Sequence, residues 1–144
     1  GQKNRLLLAR VLAENIAAQL GRSHYVVVDN KPGAGGIIGE HTVFRFMEIL
    51  SPGDYGGGLW DFYERAGQPL YLAPTSKPRY RLFCEGNGFE GEVSCDATGI
   101  IATLFAFSHL SFRYDDDELA EGYGRLYEHA ADHPEAAAIF QAID

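Results

Sequence analysis

Apolar residues recur at helical spacing in the first third of the chain. Over residues 6–20 they fall close to a 3.6-residue period, and Gly21 follows as a C-terminal stop, which predicts a helix. The β-branched residues 25–28 predict a short strand, and the glycine-rich residues 29–36 predict a turn. A second helix is predicted over residues 43–50, where a Ser-Pro-Gly sequence ends it.

The middle of the chain changes to strand-like patterning. In residues 59–64, Trp60 and Phe62 share one side of an alternating pattern, as expected for a strand. Three further short segments follow, separated by turn residues, and such short links suit an antiparallel meander. The predicted strands are residues 59–64, 70–73, 80–84 and 90–93.

The last third of the chain is again helical. Ser94 is placed to cap a helix over about residues 95–111, which is apolar on nearly all sides and is expected to be central and buried. The acidic residues 115–118 open another helix, and Pro134 fits the first turn of a last short helix. Together these elements predict an α+β fold: a single domain with an antiparallel four-stranded sheet, a meander, packed with several helices.

Charge is distributed unevenly along the chain. The formal net charge is −8; residues 1–39 hold five basic and two acidic residues, so residues 40–144 carry −11. Direct binding to duplex DNA is not expected, because a phosphate backbone requires clustered Lys and Arg. The basic residues around 77–81, by contrast, would favour binding to DNA. An acidic domain can contact the basic groove of a DNA-binding protein, although the same charge also serves solubility.

Targeting signals and cysteine usage point to the cytoplasm. No uninterrupted apolar run reaches the roughly 18 residues of a membrane helix, and residues 1–10 lack the order of a signal peptide. We therefore expect a cytoplasmic protein without a membrane role. Cys84 and Cys95 form no CxxC pair, and in a reducing cytosol both are expected to be free and at least partly buried.

Three patterns have the spacing of binding sites, but a structural explanation is favoured for each. Residues 86–91 spell GxGxxG, yet the carboxylates there would repel a phosphate, so a turn between strands is expected. Residues 33–39 form a second glycine-rich loop without the Lys-Ser/Thr of a P-loop. His129 and His133 are spaced like metal ligands, but two histidines near a helix C-terminus are also favoured by the helix dipole. No metal or cofactor is predicted.

Catalytic chemistry finds little support in the residues. Ser94 and the two cysteines lie in no recognisable nucleophile elbow, and Glu90 and Glu92 equally fit a solvated strand face. No catalytic residue is predicted, although an enzyme that uses Cys84 or the glycine turn is an alternative.

The most concentrated charge in the sequence is an acidic run, which either caps a helix on a solvated loop or contacts a basic partner. These candidate partner-contact residues are Asp115, Asp116, Asp117 and Glu118.

Several sequence blocks resemble the signature of the ArdB/KlcA family of antirestriction proteins. Residues 54–64, DYGGGLWDFYE, are similar to the family's DYxGGxWxFYE, and residues 86–94 are similar to its GNGFEGE(M/V)S. The resemblance continues at residues 71–74, 97–105 and 133–136, and in the final Ile-Asp. It covers about residues 40–144 in the family's own order and spacing.

The resemblance implies a function as well as a fold. The family's members have an α+β fold, are carried by plasmids and other mobile elements of bacteria, and relieve type I restriction of incoming DNA. No catalytic residue or cofactor can be carried over from them. The implied partner is the type I restriction complex or a host factor that controls it, with no small-molecule substrate. We therefore expect an antirestriction protein that acts by protein–protein contact and is not an enzyme.

The first part of the chain resembles a different family. Residues 10–14 and 26–39 are similar to the substrate-binding proteins of tripartite tricarboxylate transporters, which share a VVV(D/E)N(R/K)PGAGG strand and loop. About 35 residues are too few for a two-lobed binding protein, so no transport role is expected. We expect residues 1–39 to be an atypical N-terminal segment (helix, short strand, Gly-rich loop) and residues 40–144 to be the antirestriction domain. A non-functional fusion remnant is the alternative.

Overall fold

The computed structural model describes the backbone of residues 24–28 and residues 38–144. The helix predicted over residues 6–20 and the glycine-rich loop after residue 28 lie outside the described residues. The fold is α+β, which confirms the predicted class. In chain order its elements are β1 (His24–Val28), α1 (Ile38–Leu50), β2 (Leu59–Arg65), β3 (Gln68–Pro74), β4 (Arg79–Cys84), β5 (Phe89–Ser94), α2 (Cys95–Tyr114), α3 (Asp117–Ala131) and α4 (Ala136–Ile143).

The strands form two antiparallel sheets, so the prediction of one four-stranded meander is wrong. All four predicted strands exist, but one sheet has the order β1-β2-β3 and the other consists of β4 and β5. Strand β3 ends at Pro74 and the link to β4 ends at Pro78; neither proline has an N–H to donate to a ladder. The carbonyl of Pro78 instead accepts a bond of 2.8 Å from the N–H of Cys95. The predicted strand of the N-terminal segment, β1, pairs with β2.

Helix α2 lies at the centre of the fold, as predicted. It packs against β3, α1, α3 and α4. Ser94 is its N-cap, since the Ser94 Oγ accepts from the N–H of Ala97 at 3.1 Å. By length and composition α2 would also suit a membrane span, although no unbroken apolar run is that long. More than half of its most apolar stretch is buried inside the fold. The apolar sequence is therefore that of a core helix.

The tryptophan of the DYGGGLW sequence anchors β2 in the core. Trp60 is fully buried and its Nε1 donates to the hydroxyl of Tyr55 at 3.0 Å. The ring of Phe44 on α1 lies 5.0 Å from the Trp60 ring, between centroids. Burial of Trp60 and Phe62 on one side of β2 follows the predicted alternation. This part of the signature therefore contributes packing of α1 on the first sheet.

Candidate functional site

A cluster of polar side chains lies where β3, the start of α2 and the link between α3 and α4 meet. We call it the polar cluster, and most of its members are partly buried. Hydrogen bonds connect neighbouring members across large separations along the chain. The polar cluster consists of Arg65, Tyr71, Ser94, Asp96, His129, His133 and Glu135.

Asp96 is the centre of the polar cluster. One of its carboxylate oxygens accepts from the hydroxyl of Tyr71 at 2.6 Å, and the other lies 2.8 Å from Nε2 of His133. The Nδ1 of His133 accepts from the N–H of Glu135 at 2.9 Å. Since Nδ1 accepts, the proton of a neutral His133 ring is on Nε2, from which it is donated to Asp96. Both ring nitrogens are therefore occupied.

Glu135 ties the link between α3 and α4 to the start of α2. Its carboxylate accepts from the backbone N–H of Ser94 at 3.0 Å and from the Ser94 hydroxyl. Burial raises the pKa of Glu135, but the two hydrogen bonds from Ser94 and the charges of His133 and Arg79 together outweigh it, so the pKa lies below its usual value. The cap residue of α2 is thus itself held by an ionised carboxylate.

His129 belongs to a stack of rings beside this centre. Its Nδ1 lies 2.8 Å from a guanidinium nitrogen of Arg65, which must be the donor, and its ring lies 5.5 Å from that of Tyr71. Tyr71 in turn stacks on Tyr63 at 4.6 Å. Burial, followed by the charge of Arg65, lowers the pKa of His129, so this ring is held neutral. His129 and His133 therefore face different partners and do not converge as two ligands of one ion.

The side chains of the polar cluster bond one another and hold the start of α2 to the link between α3 and α4. The Ser94 hydroxyl caps a helix and bonds Glu135, and no described group of three or more His, Cys, Asp and Glu side chains could hold a metal. The two cysteines are free; Cys84 is buried and Cys95 is partly buried. Burial raises the pKa of both thiols, so neither is activated as a nucleophile.

The predicted acidic run forms the turn between α2 and α3. Asp115 has the left-handed conformation (φ 47°) and its N–H bonds the carbonyl of Ser111, which ends α2. Asp116 is the N-cap of α3, and its side chain accepts from the N–H of Glu118 at 2.8 Å. All four carboxylates of the run are exposed. The run therefore caps a helix, as predicted, through the side chain of Asp116, whereas contact of the run with a partner stays a prediction.

The basic stretch of residues 77–81 is neutralised by neighbouring carboxylates. Lys77 pairs with Asp54 at 3.4 Å, Arg79 with Glu92 at 2.8 Å and Arg81 with Glu90 at 3.2 Å. The backbone N–H of Arg81 also bonds Asp54 and, as the largest cause, lowers the pKa of this carboxyl. These exposed pairs contribute little stability. They leave little net positive charge for a phosphate backbone.

The GxGxxG sequence forms a turn between strands, as predicted. Residues 85–88 connect β4 to β5, and Gly88 has a φ of 74°, which favours glycine. Asn87 accepts from the N–H of Phe89 at 2.9 Å through its side-chain oxygen. Its side-chain nitrogen donates to the carbonyl of Ala142 at 2.8 Å. The turn therefore joins the second sheet to α4.

A cavity of about 460 Å³ lies between α1, β3, α2 and α3. Its described walls are mostly apolar, with Glu40, Asp116, Glu118 and Arg125 among its lining residues. Glu40 is 6% exposed. Sequence patterns give no sign of this cavity, because its lining residues come from separate elements. The Ser94 cap and the HPEA sequence of residues 133–136 can each be recognised in the sequence, and they form two sides of the polar cluster. The sequence does not show that these two sides meet.

Comparisons with known proteins agree on one family. The family model described as "Antirestriction protein" matches residues 53–144. The chain is 44% identical over 110 residues to the antirestriction protein KlcA of Escherichia coli, covering 74% of this chain and 75% of that protein. It is 36% identical over 107 residues to the uncharacterized protein YafX of Escherichia coli strain K12, covering 73% and 70%.

A solved structure gives the same result. The chain superposes with a TM-score of 0.69 at 34% identity, covering 84% of this chain and 95% of the other. That structure comes from work on the KlcA and ArdB proteins, described as showing a novel fold and antirestriction activity against type I DNA restriction systems in vivo but not in vitro. The resemblance of residues 26–39 to transporter proteins stays a prediction. Sequence, family match and fold together show that this chain belongs to the family of antirestriction proteins.

Proposed function

We propose that this protein relieves type I restriction of incoming DNA in the bacterial cytoplasm, and that it does so by protein–protein contact rather than by catalysis. The supporting observation is its membership of the antirestriction family over residues 53–144, together with a fold like that of KlcA and ArdB. The polar cluster supports a non-catalytic mode, because its groups bond one another. Both thiols have raised pKa values, which does not favour an enzyme acting through Cys84.

The partner is the type I restriction complex or a host factor that controls it. Activity of KlcA and ArdB in vivo but not in vitro is the behaviour expected when a cellular component besides the purified restriction enzyme is required. Duplex DNA itself is a poor partner for this chain, since residues 40–144 carry −11 and the basic stretch 77–81 is paired with carboxylates. We further propose that residues 40–144 form the active domain.

The acidic run at the turn between α2 and α3 is the proposed contact. Its four carboxylates are exposed, and the backbone that carries them is fixed by the end of α2 and the start of α3. Complementary charge of this kind favours encounter with a basic protein surface and fixes its orientation. The contact residues are Asp115, Asp116, Asp117 and Glu118.

The test is the plating efficiency of unmodified phage on cells with a type I restriction system, with and without this protein. The triple variant Asp115→Asn, Asp117→Asn and Glu118→Gln removes three charges and keeps the Asp116 cap. Asn tolerates the left-handed conformation at residue 115, so the fold is preserved. We expect wild type to raise plating and the triple variant to lose most of that rise.

A control variant removes the same charge elsewhere. Glu85→Gln, Glu128→Gln and Asp132→Asn change three exposed acids; Glu128 lies ten residues beyond Glu118 on α3, about 15 Å along the helix. This variant should keep full activity. An equal loss of plating in both variants would mean that activity depends on the overall charge of the protein and not on a contact through the acidic run. No rise with the folded wild-type protein, or the same rise in cells that lack the restriction system, would overturn the proposed function.

A further inference from the structure

The apolar cavity between α1, β3, α2 and α3 shares a border with the acidic run. Asp116 and Glu118 of the run line the cavity, and so does Tyr114 at the end of α2. Both acids are exposed and Tyr114 is 52% exposed, so this border faces solvent. We call it the acidic rim; it consists of Tyr114, Asp116 and Glu118.

Behind the acidic rim the cavity has buried, apolar walls. Protein interiors rarely leave a void much larger than a water molecule, whereas this cavity has a volume of about 460 Å³. Pockets of roughly 300–1,000 Å³ enclose small ligands, so there is room here for one or two large apolar side chains. The buried wall residues, from α1, the first sheet and α2, are Val43, Phe62, Leu72, Ala106 and Leu110.

The charges of the lining favour an occupant that is positive as well as apolar. Glu40, Asp116 and Glu118 are acidic, and Arg125 is the one basic residue among the described lining residues. Glu40 is 6% exposed, so the acidic character continues from the rim into the interior. An anionic occupant would be repelled, and a cationic one is attracted by complementary charge.

Arg125 adds a requirement for a hydrogen-bond acceptor. Its Nε is buried and has no hydrogen-bond partner within the described part of the chain. A buried donor without an acceptor is unfavourable, so an acceptor from an occupant would stabilise the complex. A main-chain carbonyl is a neutral acceptor of this kind. A peptide segment combines such carbonyls with basic and apolar side chains, whereas a simple apolar amine has no carbonyl.

We propose that the cavity binds a basic segment of the partner protein, which inserts one or two large apolar side chains between flanking Lys or Arg residues. The basic side chains face Asp116 and Glu118, and a main-chain carbonyl accepts from Arg125. This inference rests on the proposed function, in which the acidic run contacts a basic partner. Exposed charges mainly set the rate and orientation of encounter, so the enclosed apolar anchor supplies most of the affinity.

A capped hexapeptide with Phe and Leu at its centre and two lysines on either side is the probe. Titrated into the full chain and followed by NMR, it should bind with a Kd on the order of 0.1–1 mM, because a flexible peptide loses freedom on binding. Replacing the two apolar residues by alanine should raise the Kd at least about tenfold. Replacing the lysines by glutamate should abolish binding.

Filling the cavity from inside tests where the probe binds. Ala106→Leu enlarges a wall residue within free space, so it should keep or raise the Tm and yet raise the Kd of the probe at least about tenfold. Ala137→Leu is the matched control, since Ala137 is exposed on α4 and is not among the described lining residues. This control should leave the Kd unchanged.

Two neighbouring acids test the rim without altering the cavity. Asp117 and Glu118 are both exposed in the first turn of α3, but of the two only Glu118 is among the described lining residues. Glu118→Gln should raise the Kd of the probe about threefold, and Asp117→Asn less than about twofold, as for exposed charge pairs. Equal effects of the two variants would mean attraction by overall charge and would overturn the inference.

Other outcomes are also decisive. No saturable binding to the full chain up to about 5 mM peptide would overturn the inference and assign the cavity to another occupant. Binding that ignores the alanine probe or a folded Ala106→Leu would overturn it as well. These measurements use purified protein, so they do not depend on plating. Full plating relief by Ala106→Leu would overturn this inference alone, whereas no relief by the wild type would overturn the proposed function.

Discussion

Replacing Gly99 by alanine should destabilise the fold by separating α2 from β3. A Cβ at this position would lie 2.1 Å from the carbonyl oxygen of Leu72 and 2.5 Å from the Cα of Ala73. Both atoms are backbone, so no side chain can rotate away. Restoring an ordinary 3.4 Å contact requires about 1.3 Å of movement. That shift would also break the buried bond of 3.2 Å from the N–H of Leu72 to Thr103 Oγ1.

The opposing contributions can be compared in size. Alanine in a helix interior is favoured over glycine by about 0.8–1 kcal/mol. Overpacking costs typically 1–3 kcal/mol, and a buried N–H left without its acceptor costs a further 1–3 kcal/mol or so. The net loss is therefore about 1–5 kcal/mol, which for a chain of this size lowers the Tm by several degrees.

Urea unfolding followed by circular dichroism measures this change in free energy. Gly124→Ala is the matched control, because Gly124 is also helical but a Cβ added there would meet nothing within 4 Å. This control should be neutral or more stable by up to about 1 kcal/mol. Equal or greater stability of Gly99→Ala than of wild type would refute the close packing of α2 on β3.

Two further predictions concern acid stability and the N-terminal segment. The pKa of His129 in the folded protein is lowered from 6.5, so its contribution to stability is present above pH 6.5 and is lost as pH falls through the folded value. The free energy of unfolding of His129→Gln, followed against pH, should therefore fall less below pH 6.5 than that of the wild type. An unchanged profile would contradict the assignment. Deleting residues 1–37 removes β1 and its five pairs with β2, which should cost roughly 2 kcal/mol and expose a strand edge; an unchanged Tm with no aggregation would mean that β1 adds nothing to the sheet.

Local patterns are sufficient for most elements of the fold. Alternation places Trp60 inside the first sheet, and the all-round apolar sequence after Ser94 identifies the central helix, because each signal depends only on neighbours along the chain. The pairing of strands is not available from such patterns. Whether β3 pairs with β4 depends on the backbone around Pro74 and Pro78, and the place beside β2 is taken by β1.

The polar cluster shows the same limit for functional residues. Ser94 is recognisable as a cap, and the histidines are recognisable only by their spacing, which suggests a shared partner. Their actual partners, Asp96 and Arg65, lie 37 and 64 residues away along the chain. Local spacing carries no information on contacts of that range. The basic stretch of residues 77–81 is likewise visible in the sequence, whereas its neutralisation by Asp54 requires the folded chain.

Two kinds of carboxylate in this domain have opposite physical roles, and this difference predicts how variants will behave. Glu135 and Asp96 are partly buried and bonded, so removing either charge should lower stability and activity together. Asp117 and Glu118 are exposed, so neutralising them should leave stability within about 0.5 kcal/mol while removing charge from the proposed contact. Loss of plating in the second group without a change in Tm would therefore locate function at the turn between α2 and α3, and loss only in step with Tm would locate it elsewhere.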